Sequence, residues 1–308
     1  MAEHIPVMLQ EVIEGLNIKP NGIYLDLTLG RAGHSSVILS KLNKDGLLIG
    51  VDQDEEAIVK STETLKQIAP NFKIVRDNFS HINEILDNLD IGKVDGILMD
   101  LGVSSPQFDN GERGFSYKID GPLDMRMDKR QTLTAYTIVN TYSVEELTRI
   151  FRDYGEEKFA YSIAKNIVKY REYASINTTL QLVDIIKRSK PMKELSKLGH
   201  PAKQTFQALR IATNDEINVL VTTIDKALER LKPQGRLAII TFHSGEDRIV
   251  KSKFKSVSEV IGDRFDGPMK EVKTKFSLVN RKPIEASDEE LVINHRSKSA
   301  KLRIIEAK

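Results

Sequence analysis

"VDGILMDLGVSSPQFDNGERGFSYKIDGPLDMRM" runs from Val94 to Met127. It begins as an apolar run ending in an acid, Asp100, which reads as a buried strand. The remainder is dense in Gly, Asp, Arg and Ser, residues that favour turns and irregular backbone. Irregular stretches this long inside a compact domain usually carry function.

Upstream, three more apolar runs precede it: "GIYLDLTLG" (22–30), "GLLIGVD" (46–52) and "FKIVRD" (72–77). Helical stretches at 34–43, 54–68 and 79–89 separate them. Strand alternating with helix at this spacing predicts parallel βαβ units in an α/β sheet. Right-handed crossovers then bring every strand's carboxyl end to one edge, where such sheets bind ligands.

Downstream, the strand signal stops for about a hundred residues. "SVEELTRIFRDYG" offers a Ser143–Glu146 capping box with Gly155 as its stop, and Thr178–Gln181 starts "TTLQLVDIIKRS" in the same way. Helical periodicity continues through "PAKQTFQALRIA" and residues 215–231. "KPQG" then turns the chain into "RLAIITFHS" (236–244), and "KFSLVN" (275–280) and "AKLRIIEA" (300–307) complete the strands. The economical reading is a seven-stranded, mostly parallel sheet domain, discontinuous over 1–107 and 214–308, with a loop and helical subdomain inserted at 108–213.

The composition belongs to a globular protein: 308 residues, 40% hydrophobic, 29% charged, net charge +2. A charge so close to neutral does not by itself announce a nucleic-acid binder. Basic residues do cluster in "KRSKPMK" (187–193), "KSKFK" (251–255) and "HRSKSAK" (295–301), runs that a solvated surface explains as well as phosphate does. Zero cysteines excludes disulfides, thiol chemistry and cysteine-ligated metals. The six histidines show no ligand spacing, so no metal is implied. With no membrane-length apolar window and no signal-like N-terminus, a cytoplasmic address is expected.

"DLTLGRAGHSS" places Gly30 and Gly33 around a tight turn before a helix N-terminus, a place for a polar or anionic ligand. Asp52, at the second strand's end, suits the two hydroxyls of a ribose, because a carboxylate accepts both hydrogen bonds; Asp54 fits better as a helix cap. Phe79 follows the third strand and Asp100 ends the fourth. A glycine turn plus a strand-end acid fits either a nicotinamide dinucleotide or S-adenosylmethionine. Polar or aromatic groups at successive strand ends tip the balance to S-adenosylmethionine.

The opening segment also resembles the hallmark of the bacterial small-subunit ribosomal RNA cytosine-N4 methyltransferases. Further segments match in order: "HIPVMLQE" (4–11), "DLTLGRAGHS" (26–35), "GEEKFAYSIAKNI" (155–167), "HPAKQTFQALRIATN" (200–214), "GRLAIITFHSGEDRIVK" (235–251) and "HRSKSAKLRIIEA" (295–307). The resemblance implies a class I, Rossmann-like S-adenosylmethionine-dependent methyltransferase with an inserted all-helical subdomain. It implies methylation of the exocyclic N4 of a single cytosine, conventionally cytosine 1402, in 16S ribosomal RNA of the small ribosomal subunit. Cofactor-binding positions carry over to Ala32, Gly33, His34, Asp52, Phe79, Asp100 and Gln107. The chain departs from the pattern twice: Ala32 replaces a usual glycine and Gly245 a usual leucine.

Asp100 is the candidate catalytic acceptor for the amino group, although Leu101-Gly102 follow it where amino-methyltransferases commonly have prolines. Arg113 and Arg126 are candidates for phosphate or for pairing with Asp109, Asp120, Asp124 and Asp128. Ser104, Ser105 and Gln107 supply polar groups, and Phe108, Phe115 and Tyr117 either anchor the loop or stack on a flipped base. His243 is either a hydrogen-bonded structural residue or a proton-handling one; without a nucleophile elbow around Ser244, a hydrolase is not indicated. The alternatives are an amino-methyltransferase acting on another nucleic acid, a nicotinamide-dependent oxidoreductase, and a non-catalytic RNA-binding factor. A homo-oligomer is compatible with the sequence.

Overall fold

The computed structural model describes residues 5–102, 105–259 and 274–308; His4 and Ser104 lie outside this set. In chain order the first elements are α1 (Leu9–Leu16), β1 (Ile23–Asp26), α2 (Gly33–Lys41), β2 (Leu47–Asp52), α3 (Glu55–Lys66), β3 (Phe72–Arg76), α4 (Ile82–Asn88) and β4 (Val94–Asp100). Then come α5 (Ser105–Asp109), α6 (Ala135–Thr141), α7 (Val144–Gly155), α8 (Ala160–Arg171), α9 (Thr179–Arg188), α10 (Met192–Leu195) and α11 (Lys203–Asn214). The chain finishes with α12 (Glu216–Glu229), β5 (Leu231–Thr241), α13 (Ser244–Ser258), β6 (Phe276–Leu278), β7 (Ile284–Glu285), α14 (Asp288–Ile293) and β8 (Lys301–Ala307). Two compact units result, 1–102 with 218–308 and 103–217, so the division falls a few residues outside the boundaries expected from sequence.

In the α/β unit the sheet runs β3-β2-β1-β4-β5-β8-β6, with β7 paired to β8. The first five strands are parallel, and β8 lies antiparallel to β5, β6 and β7. Seven of the eight strands are the expected ones; β7 has two residues, too few to leave a periodic signal. Strand β4 shows why the apolar runs are continuous rather than alternating. Ile97 and Met99 enter one core cluster with Leu25, Ile49 and Ile239, while Leu98 enters a second with Tyr24, Leu48 and Ile240. A strand covered on both faces needs apolar residues at every position. Strand order reverses between β1 and β4, and their ends, with that of β2, carry Asp26, Asp100 and Asp52 to one edge.

"KPQG" differs from expectation: it lies inside β5, where the pairing to β4 jumps from Val94–Leu231 to Gly96–Arg236 and Gln234 takes φ +62°. The segment is an irregularity within the strand rather than a turn before it.

The helical unit has its own core, built from Leu147, Phe151, Ile163, Ile167, Leu182 and Leu209 among others. Both capping boxes form: Ser143 with Glu146 opens α7, and Thr178 with Gln181 opens α9. The helix stops at Gly155 as expected, although the left-handed residue past it is Glu156 (φ +50°). A Cβ on Gly155 would lie 2.5 Å from the Gln204 carbonyl oxygen, so its glycine lets α7 and α11 pack closely.

The opening loop is held by its own side chains. Phe115 is buried in this core and meets Phe108 edge-on, with Tyr117 packed alongside. Arg113 is buried and donates to the carbonyls of Arg126 and Met127. Arg126 makes a two-pronged pair with Asp124 at 2.7 and 2.8 Å. Both arginines therefore brace the loop from within. Gly121 is a close-approach glycine, since any Cβ there would collide with the Gly111 backbone.

Candidate active site

The turn after β1 begins with Asp26, almost fully buried. Its Oδ2 accepts from Ser35 Oγ at 2.7 Å and its Oδ1 from the Thr28 amide at 3.1 Å. Thr28 Oγ1 in turn accepts the Asp100 amide at 2.7 Å, which ties the β4 end to the β1 turn. Burial pushes the Asp26 carboxyl up, opposed by those hydrogen bonds and by the nearby His34. The sequence reading missed Asp26 and Thr28. The available signal was an acid inside "DLTLG", where a buried strand calls for an apolar residue.

Ala32 sits before α2 in the left-handed region at φ +63°, fully buried. That conformation explains the usual glycine and costs alanine about 1 kcal/mol. Gly33 opens α2, and a Cβ there would meet the Pro6 ring at 2.5 Å. The first amides of a helix lack intrahelical partners, so this turn presents donors. His34 is buried with Nε2 donating to the Val7 carbonyl at 2.9 Å. Its Nδ1 lies 3.8 Å from Asp100 Oδ2, too long for a hydrogen bond but close enough for electrostatic influence. The ring is thus anchored on the Val7 carbonyl, leaving the His34 amide to face a ligand.

Asp52 takes one amide on each oxygen: Gly30 on Oδ2 at 2.8 Å and Asp54 on Oδ1 at 2.9 Å. Each oxygen keeps one lone-pair direction, the number a vicinal diol would fill. Burial raises its pKa to about 6; the two amides pull it back, and the charges of Asp54 and Asp26 push the same way as burial. Asp54 caps α3 by accepting the Glu56 amide. Asp100 is likewise raised by burial and held down by His34 and the Gly102 amide, which reaches its Oδ1 at 3.2 Å.

Phe79 opens a single 3-10 turn and is partly buried against the sheet's core. Next to it Asn78 donates to Gln53 Oε1 at 3.0 Å, two amide side chains beside the β2 and β3 ends that the sequence reading did not select. Gln107 is buried in α5, within the helical unit.

His243 is a helix cap. Its Nδ1 accepts the Glu246 amide at 3.4 Å, and Glu246 Oε2 accepts the Phe242 and His243 amides at 2.8 and 3.3 Å. Nε2 lies 2.9 Å from Glu246 Oε1 but outside hydrogen-bond alignment. A Cβ on Gly245 would press this ring at 3.2 Å. Glycine in place of the usual leucine therefore gives the capping ring its room. No cluster of potential metal ligands exists among the described residues.

A carboxylate able to hold a diol, a donor-lined helix N-terminus and a third acid converge on one sheet edge. Residues 1–308 match the MraW methylase family. The chain belongs to this family. Family membership removes the nicotinamide-dependent alternative and makes S-adenosylmethionine the cofactor. The residues fit it: Asp52 has the two free lone-pair directions a ribose needs, and the start of α2 at Gly33 and His34 has amides for a carboxylate. Among curated relatives, the ribosomal RNA small subunit methyltransferase H of Lachnospira eligens is 52% identical over 99% of this chain and 97% of its own length. That of Mesoplasma florum is 54% identical over the full length of both. A solved ribosomal RNA methylase from Streptococcus thermophilus is 12% identical, with a TM-score of 0.43 over 100% of this chain and 98% of its own. No helix among the described residues is long and apolar enough to cross a membrane.

Proposed function

We propose that this methylase transfers a methyl group to the exocyclic N4 of a single cytosine, conventionally cytosine 1402, in 16S ribosomal RNA carried by the small ribosomal subunit. The observation that carries the reading is the identity of 52–54% to relatives named ribosomal RNA small subunit methyltransferase H. The same relatives argue against a DNA substrate and a non-catalytic role.

When bound, S-adenosylmethionine supplies an electrophilic methyl on a sulfonium, so the protein's task is alignment and exclusion of water. In this reading Asp52 fixes the ribose and the Gly33 and His34 amides fix the amino-acid end, the Ala32 amide being spent on the Leu29 carbonyl. Phe79 faces the adenine. Cytosine N4 is a weak nucleophile because its lone pair is delocalised into the ring. A carboxylate accepting an N4 proton's hydrogen bond raises that electron density and can take the proton once nitrogen bonds to the methyl carbon. What supports this role for Asp100 is that Thr28 pins its backbone, the Gly102 amide bonds its carboxyl, and burial raises its proton affinity.

The test incubates purified protein with tritiated S-adenosylmethionine and small subunits from cells lacking the modification, then identifies the labelled nucleoside. N4-methylcytidine confined to one position is expected. Label in another nucleoside, or none from a preparation that binds the cofactor, overturns the substrate assignment.

A further inference from the structure

The helical unit carries a second group of polar side chains that the methyl-transfer site does not use. Tyr117 stacks on His200 with ring centroids 4.5 Å apart and planes 20° from parallel, and Phe206 meets Tyr117 edge-on at 5.8 Å. His200 Nδ1 accepts the Ala202 amide at 3.2 Å, so the proton of the neutral ring sits on Nε2, which donates. Among the described residues neither that Nε2 nor the Tyr117 hydroxyl has a partner, although both rings are half-buried.

Lysines lie near enough to the stack to act on the His200 ring. Lys118 follows Tyr117 directly and is exposed, and Lys187 is exposed in the last turn of α9. Neither has an acidic partner among the described residues. Lys190 behaves differently: its side chain is buried, bonded to Glu157 at 2.6 Å and to the Pro201 carbonyl at 2.6 Å. That bond draws the turn after α9 against the residue that follows His200. Burial, then Lys187, Lys118 and Lys190, hold the His200 pKa below its ordinary value, and no carboxylate opposes them. The ring is thus a neutral donor at physiological pH.

We propose that Tyr117, Lys118, Lys187 and His200 form a phosphodiester-binding site through which the helical unit grips the RNA strand. Each group can offer a proton or positive charge, the complement of a phosphate oxygen. Aromatic rings beside the cations suit an unpaired nucleotide better than a bare anion or an acidic peptide. This inference rests on the RNA reading above and adds a group on the helical unit that holds the strand.

Two variants that leave the packed rings in place test it: Lys118→Gln with Lys187→Gln, and Tyr117→Phe. Binding of small-subunit ribosomal RNA is measured against salt, alongside KM, kcat, cofactor affinity and thermal stability. The double lysine variant should lower the salt slope by about 1.4, two phosphate contacts at about 0.7 each, and raise KM several-fold. Tyr117→Phe should raise KM a few-fold; kcat, cofactor affinity and melting temperature should stay at wild-type values in both. Wild-type salt slope and KM in the double variant, from a protein that still methylates the RNA, would overturn this site and leave the substrate reading standing. Failure of the wild type to bind the RNA would overturn both.

Discussion

The helical unit and the carboxyl edge of the sheet treat buried polar groups in opposite ways. In the helical unit Glu157 meets Lys190, Arg126 meets Asp124, and Arg113 spends its guanidinium on backbone carbonyls. At the sheet edge Asp26, Asp52 and Asp100 are held by amides and hydroxyls, and among the described residues no lysine or arginine pairs with them. A pair closed on itself stiffens a scaffold. A carboxylate left with spare lone pairs and a raised pKa is stored capacity for a ligand, the usual signature of a working site. The difference separates residues of similar chemistry into bracing and binding roles.

The sharpest break of this comparison would come from Asp100→Asn. If Asp100 accepts the N4 proton, turnover should fall by about 10²–10⁴-fold with the fold retained. Single-turnover methyl transfer, with circular dichroism as control, reads both; undiminished turnover removes the acceptor role. On the bracing side, Glu157→Gln strands the Lys190 ammonium in the core and should destabilise the protein by about 3–5 kcal/mol in denaturant unfolding. Pairing it with Lys190→Met should recover much of that loss, because the orphaned charge is then gone.

Asp52 gives a pH signature intermediate in size. Its folded pKa of about 6 lies above the unfolded value near 3.9, so the folded state binds the proton more tightly. The associated stability is present in full below about pH 4 and is lost as pH rises through 6, about 3 kcal/mol in all. Relative to Asp52→Asn, whose side chain does not titrate, the cofactor-free wild type should therefore lose melting temperature between pH 4 and pH 7. Parallel curves would show that Asp52 is not a strained carboxylate. Ala32→Gly should have the smallest effect, a stabilisation of about 1 kcal/mol from relief of the left-handed alanine.

How much the sequence revealed follows the range of the interaction. Seven strands, both capping boxes and the Asp54 cap were legible, because each depends on residues only a few positions apart. The acids ending β2 and β4 were legible because βαβ order fixes where strands end. The Glu157–Lys190 bond was not: it joins residues 33 apart, and "KRSKPMK" read as one surface run although its middle lysine is buried. Asp26 and Thr28 were passed over because an apolar run conceals a polar residue whose partners, Ser35 and Asp100, arrive only with the fold. His243 was ambiguous because a histidine cap shares its sequence surroundings with a catalytic histidine.

The most direct test of the central distinction is calorimetric titration of S-adenosylmethionine into wild type and Asp52→Asn from pH 5 to pH 8. The account expects wild-type affinity to climb through about pH 6, as Asp52 ionises, and then level off. Asp52→Asn should bind weakly across the whole range. Equal affinities with equal pH profiles would contradict it, and would return Asp52 to the class of bracing residues.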